Sequence, residues 1–334
     1  MVSDTLIFLT GLLAGLVLEW GVYHLVRRPH LLAAPNSRSS HTEPTPTMGG
    51  VVMVVVILAY CGWLADADPR LGWGLFGALA SLAMIGLWDD LKGLSARLRL
   101  LVHFVAAASV LWLLDLTQPW WVVAALLIGL VWLINLYNFM DGIDGYAAVQ
   151  CLVYCLGVQL VAGGVPGWTG ELVWLLAGVT LAFLSFNWPP ARIFMGDVGS
   201  GFLGLALGML TLSLWQAGIV GLGTSLILLC VFWFDATYTL CVRIVTRQKF
   251  TQAHRQHLYQ HLAQQRGHLW TTLAFLIYAS VWLLPLAWYA NFSTDLFHQV
   301  VALLAATLPL AILCWRYQSG SRADTAGYTT DREG

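Results

Sequence analysis

Charge is the scarcest feature of this sequence. Asp, Glu, Lys and Arg make up 10% of its 334 residues, against about 25% in a soluble domain. With 59% hydrophobic residues and a mean hydropathy of +0.74, the chain lacks the polar surface that a water-soluble globule needs. Cysteine is sparse as well. The six present (Cys61, Cys151, Cys155, Cys230, Cys241 and Cys314) lie in or beside apolar runs, without metal-type spacing. They read as small hydrophobes, with neither disulfide nor zinc implied. No charged segment and no small-residue cleavage site accompany the first apolar run, so it is expected to stay as a span. No soluble domain and no tandem repeat is visible. The net charge of −1 decides nothing by itself; where the charges fall decides more.

Apolar length is abundant. Stretches able to cross ~30 Å of hydrocarbon fall at about 5–26, 48–65, 70–88, 98–116, 119–138, 145–163, 171–187, 199–217, 221–242, 269–290 and 298–316. The expectation is an all-α, polytopic membrane protein of about eleven helices, with one catalytic domain over 1–318 and a disordered tail over 319–334. Seventeen tryptophans suit interfacial belts. An odd span count places the termini on opposite sides. Arg27, Arg28, Arg38, Lys92, Arg97, Arg99, Arg192, Arg243, Arg247, Lys249, Arg255, Arg266, Arg316, Arg322 and Arg332 then share one side, and Arg70 lies on the other. The positive-inside rule makes the basic side cytoplasmic and the N-terminus external.

Nearly all the chemistry falls on that basic side. The densest stretch is NLYNFMDGIDG, where Asn135, Asn138, Asp141 and Asp144 recur at a spacing of three that drifts along one helix face. Polar residues ending an apolar span are costly in lipid and should face protein, water or a ligand. An interfacial cap is the plain alternative, and four such residues together favour a site. In WDDLKGLSARLRL, the adjacent Asp89 and Asp90 call for a nearby cation or metal, and Arg99 can meet a phosphate. In NWPPARIFMGDVGSGFLG, Asp197 sits in a Gly-rich turn opening a helix, which suits Mg²⁺ held together with substrate phosphates. Phe194 offers a stacking face there, and Asn187 precedes two prolines. The first inner loop carries Arg38 and His41, equally readable as anion contacts or as a basic linker. In the last, His254, His257 and His261 would share a helix face beside Arg255, as a segment contacting phosphate or sugar.

Hard oxygen ligands, phosphate-binding cations and a membrane location point to Mg²⁺- or Mn²⁺-assisted phosphoryl chemistry between a soluble donor and a lipid acceptor. A transporter would place its polar groups near the bilayer midplane, where Glu19 and Asp235 are the main charges. A lipid-linked-sugar transporter and a non-catalytic scaffold remain alternatives of other classes.

The motifs PTPTMGG, DDLKGLSAR, NLYNFMDGIDG, NWPPARIFMGDVGSG and the His-rich last loop follow one another between about Pro35 and His261. In that order they resemble the polyprenyl-phosphate N-acetylhexosamine-1-phosphate transferase family. The resemblance implies a ten- or eleven-helix fold in a bacterial inner membrane, a cytoplasmic cleft and, as a family-level expectation, a homodimer. It also implies transfer of a sugar 1-phosphate from a UDP-sugar to undecaprenyl phosphate, with release of UMP and a need for Mg²⁺ or Mn²⁺. It casts Asp197 and Asn138 as metal-side residues, and Asp89, Asp90, Asp141 and Asp197 as catalytic acids. By the same likeness Asp144 and Phe194 hold uracil, Arg99 meets the diphosphate, and Asn135, Asn187, Arg38, His41, His254, Arg255 and His257 line the substrates. The last loop reads HRQHLYQH instead of three consecutive histidines, and no lysine precedes TPTMGG. Both departures resemble the branch that starts O-antigen and related lipopolysaccharide or cell-wall glycans, using N-acetylfucosamine, N-acetylquinovosamine or N-acetylglucosamine donors. The phospho-N-acetylmuramoyl-pentapeptide transferases of peptidoglycan synthesis are the alternative branch.

Overall fold

The computed structural model describes residues 3–26, 32–33, 45–248, 254–293 and 295–321. Every apolar run read from the sequence is helical, one of them with a break, because a chain in hydrocarbon must satisfy its backbone polar groups internally. In chain order the helices are α1 (Asp4–Val26), α2 (Gly50–Ala67), α3 (Pro69–Lys92), α4 (Ala96–Leu114), α5 (Trp120–Met140), α6 (Tyr146–Ala162) and α7 (Gly167–Asn187). They continue as α8 (Asp197–Gln216), α9 (Leu222–Leu228), α10 (Cys230–Val245), α11 (Leu258–Arg266), α12 (His268–Phe292) and α13 (Leu296–Arg316). Two short strands, β1 (Leu32–Ala33) and β2 (Thr45–Pro46), pair antiparallel.

The span count is lower than the eleven expected. Among the described residues nine helices are long and apolar enough to cross a membrane, or ten if a bent pair is one span. The bent pair is α9 and α10, which meet at 78° within the run expected to be one helix. Two side chains stabilise the break. The Gln150 amide donates to the Leu228 carbonyl at 3.1 Å, and the Trp233 indole N–H donates to the Leu226 carbonyl at 2.8 Å. Backbone groups released by a kink need such partners in lipid. The other shortfall is α6, with 17 residues.

Burial sorts the helices into layers. The centre is α8, with 94% of its apolar window buried; α7 follows at 78%, and α1 at 17% faces lipid along most of its length. α8 packs against α2, α3 and α5. α1 and α7 run in the same direction, with Gly11 against Leu175 and Gly15 against Ala182, a small-residue seam of the kind that lets membrane helices approach. The chain thus places the first residue of its most enclosed helix, Asp197, where the loops after α3, α5 and α7 converge.

Candidate active site

The site begins with a carboxylate that works on backbone. Asp90, near the end of α3, accepts from the N–H groups of Asp197 (2.9 Å) and Val198 (3.0 Å) and so caps α8 from another helix. Each Asp90 oxygen thus accepts from one orphan donor of a helix terminus, which gives this residue a structural task beside the role expected of it. Gly196 makes the arrangement possible. Its φ is +77°, and a Cβ there would lie 2.7 Å from Asp90 Oδ2.

Capping by Asp90 aims the Asp197 side chain. One oxygen accepts from the Asn138 amide at 2.7 Å, and the other lies 3.1 Å from an Arg99 guanidinium nitrogen. The same Arg99 nitrogen pairs closely with Asp89, so one guanidinium bridges the carboxylates of α3 and α8. Asp89 also accepts from the Leu94 N–H at 2.5 Å. Asn138 donates to Ser200 Oγ at 2.9 Å as well, leaving its carbonyl oxygen for a ligand.

The stretch after α5 departs from the single helix face read from its spacing. α5 ends at Met140, Asp141 is its C-cap, and Asp144 lies in the following turn. Asp141 has no hydrogen-bond partner for its carboxyl among the described residues. Its pKa stands well above the ordinary carboxylate value, first through burial and then through the nearby negative charges of Asp197, Asp90 and Asp144. Asp144 accepts from the Ala191 N–H at 3.1 Å and lies 3.2 Å from His268 Nδ1. Thr272 Oγ1 donates to the Asp144 carbonyl at 3.0 Å, so α12 clamps this turn.

Asn187 also serves the backbone around the site. It is buried, accepts from Gly145 N–H at 2.8 Å and donates to the Ile193 carbonyl at 2.8 Å. Both ends thus tie loops together. Asn135 donates back to the Val131 carbonyl at 2.7 Å. Phe194 is half-buried, on a backbone pinned by the Pro46 carbonyl and the Gly49 N–H. Arg38 and His41 lie outside the described residues.

The histidine segment does not share one helix face, because α11 starts only at Leu258 and His257 is its N-cap. The reason lies in α10. Asp235 accepts from the N–H groups of Leu258 (2.9 Å) and Tyr259 (3.0 Å), and His257 Nδ1 lies 3.6 Å from it. This mid-span acid therefore seats α11, and His257 is buried beside it. His254 sits next to His257, at 4.9 Å between rings. Burial lowers its pKa to about 3, with the neighbouring His257 and Arg243 adding to the effect. Tyr259 donates from its hydroxyl to the Phe139 carbonyl at 2.9 Å, and a Cβ on Gly142 would meet that hydroxyl at 2.1 Å. These contacts hold α11 against the Asp141 turn.

Residues not anticipated from the sequence are His103, Ser200, Tyr259, His268 and Thr272. His103 carried a readable signal, since it lies four residues after Arg99 on α4 and so on the same face. It is buried and lines a cavity of about 40 Å³ with Arg99, Asn135, Asn138 and Asp197. A larger apolar groove of about 390 Å³ runs along α5 from Ala125 to Leu136, between α8, α9 and α10.

Among the described residues no three His, Cys, Asp or Glu side chains stand close enough to hold a metal by themselves. Mg²⁺ does not demand such a cage, since it is usually held by one or two carboxylates and substrate phosphates. The unpartnered Asp141 carboxyl among neighbouring acids, with the Asp197 carboxylate and the Asn138 carbonyl oxygen, is a donor set that fits it.

The glycosyl transferase family 4 profile matches residues 72–215, which include Asp89, Asn138 and Asp197. The chain is 27% identical over 282 residues to a probable undecaprenyl-phosphate N-acetylglucosaminyl 1-phosphate transferase of Bacillus subtilis (strain 168), covering 78% of each chain. It is 31% identical to a phospho-N-acetylmuramoyl-pentapeptide-transferase of Gluconobacter oxydans, over 63% of this chain and 72% of that one. With a decaprenyl-phosphate N-acetylglucosaminephosphotransferase of Mycobacterium leprae the identity is 32%, over 62% and 59%.

Proposed function

This chain belongs to glycosyl transferase family 4, the polyprenyl-phosphate hexosamine-1-phosphate transferases, and from that premise we propose that it transfers an N-acetylhexosamine 1-phosphate from a UDP-sugar to undecaprenyl phosphate. UMP is released, and the product starts an O-antigen or related surface polysaccharide. The donor is of the N-acetylfucosamine, N-acetylquinovosamine or N-acetylglucosamine type. The observation that carries this reading is the cluster at the head of α8. Asp197 is aimed by Asn138, bridged to Asp89 through Arg99 and faced by the unpartnered Asp141. The crowding of cations on this side supports a cytoplasmic site in a bacterial inner membrane.

The apolar groove suits the polyprenyl chain, since it ends at Leu136, next to Asn135 and about one and a half turns of α5 from the Asp141 cap. A phosphate oxygen of the lipid attacks the sugar-bearing phosphorus of the donor. The bond from that phosphorus to the oxygen it shares with the uridine phosphate breaks, and UMP leaves with that oxygen. A phosphate monoester has a second pKa near ~6, so the nucleophile is already mostly dianionic at neutral pH and needs no strong base. Arg99 trades its carboxylates for phosphate oxygens, to which a guanidinium donates in the same forked geometry. Asp89 and Asn138 orient Arg99 and Asp197, and Asp90 holds the head of α8 in place. Asp197, Asp141 and the Asn138 carbonyl would hold Mg²⁺, which when bound neutralises charge on the phosphates and the departing UMP.

A second reading has its own support. Several relatives, including the one from Gluconobacter oxydans, are named phospho-N-acetylmuramoyl-pentapeptide-transferases, and the same site would serve that larger donor. The HRQHLYQH loop favours the first. The test is UMP release by purified protein with undecaprenyl phosphate and Mg²⁺ across a panel of UDP-N-acetylhexosamines and UDP-N-acetylmuramoyl-pentapeptide. Release from one N-acetylhexosamine, lost in Asp197→Asn, is expected. Release only from the pentapeptide donor would select the second reading, and none from any donor would sink both.

A further inference from the structure

The small cavity between α3, α4, α5 and α8 contains an idle polar group. His103 is buried, at 9% exposure, and its Nδ1 has no hydrogen-bond partner. An imidazole nitrogen left unpaired at membrane depth is costly, and such groups are rare in native structures. The space beside it, about 40 Å³, has room for a water or a phosphoryl oxygen, since about 10–15 Å³ open to a water-sized sphere is enough to hold one water. Its other polar walls are Arg99, Asn135, Asn138 and Asp197, and Asn135 is the side chain that meets the ring.

Depth decides which substrate arrives there. His103 is seven residues into α4, about 10 Å along the helix. Its neighbours Leu100, Leu101, Phe104 and Val105 are exposed on the outside of the bundle, as is Phe139 on α5. These residues place this level of α4 at hydrocarbon depth, although His103 itself points inward, and a phosphate carried on a membrane chain reaches that depth more readily than a water-soluble nucleotide.

We infer that His103 is an acceptor-binding residue, its Nδ1–H donating to a phosphate oxygen of the polyprenyl phosphate in the cavity it shares with Arg99. The inference rests on the transferase reading. Arg99 supplies charge that either substrate's phosphates can attract, whereas His103 lies one helical turn deeper along α4 and discriminates between them.

The test compares His103→Phe, which keeps a ring without polar atoms, with His103→Gln, which keeps a side-chain donor. KM is measured separately for a short-chain polyprenyl phosphate and for the donor, and binding of that lipid phosphate without donor is measured by calorimetry. His103→Phe should raise the acceptor KM and Kd about tenfold, the equivalent of ~1.4 kcal/mol, with donor KM within twofold. His103→Gln should restore both to within threefold. Unchanged acceptor affinity in His103→Phe, or an equal rise for both substrates, would overturn the inference and leave a water as the cavity's occupant. If His103→Phe does not accumulate, His103→Met serves the same comparison. Failure of the wild type to release UMP from any donor would instead defeat the transferase reading, and the binding measurement would still judge His103.

Discussion

Two adjacent aspartates at the end of α3 are chemically identical and structurally opposite. Asp89 faces a guanidinium, whereas Asp90 spends both oxygens on the backbone of α8. The difference predicts separable phenotypes. Asp90→Asn replaces one acceptor with an NH₂ aimed at a backbone donor, so it should lower Tm by the loss of a cap, about 1 kcal/mol, along with activity. Gly196→Ala should do the same, since the new methyl meets Asp90 in a backbone conformation that alanine avoids. Asp197→Asn should abolish UMP release with Tm unchanged. Thermal unfolding in detergent beside the activity assay decides it, and an Asp90→Asn protein of wild-type Tm would return Asp90 to the chemistry. Sequence alone could place both aspartates at a span end but could not tell them apart. The donors that separate them, at Asp197 and Val198, come from more than a hundred residues away.

Helix α11 shows the same limit at the level of elements. Its histidines looked like a face because their spacing is helical, yet the helix begins after His257 since Asp235 on α10 captures the N–H groups of Leu258 and Tyr259. The spacing was legible, but the starting point was set by an acid in another span. Asp235→Leu should therefore release α11 and, through Tyr259, the Asp141 turn. Trypsin would then cut at Arg255 or Arg266 faster than in the wild type. Unaltered cleavage would show that packing alone seats the helix. The same element predicts a pH effect. His254 is held at about 3 and His261 below the ordinary histidine value by burial, while the unfolded chain titrates near ~6.5. The unfolded state thus binds more protons below that pH, and stability falls as pH drops from 6.5 toward 3. His254→Gln should flatten the fall in Tm between pH 7 and 5, and an identical slope in the variant would refute this origin.

At the scale of the whole molecule, the arrangement of spans was readable because hydrocarbon imposes a length and a polarity on every segment. Their packing was not, since α1 and α7 meet through glycines that look the same in any helix. Glu19 belongs to that unreadable part. It is fully buried in α1, and neither carboxyl oxygen has a hydrogen-bond partner. A carboxyl without partners away from water is costly, and replacing such a group with an apolar one of similar shape is neutral or stabilising where no partner exists. Methionine has the length and flexibility to fill the space. Glu19→Met is therefore expected to raise Tm by a few degrees in detergent, with UMP release within twofold of wild type, since α1 lies apart from the head of α8. Glu19→Gln, which keeps a polar end of the same size, should gain less. If both variants instead lose stability, the carboxyl has a partner in the folded protein, and the seam of α1 on α7 depends on an acid as well as on its glycines.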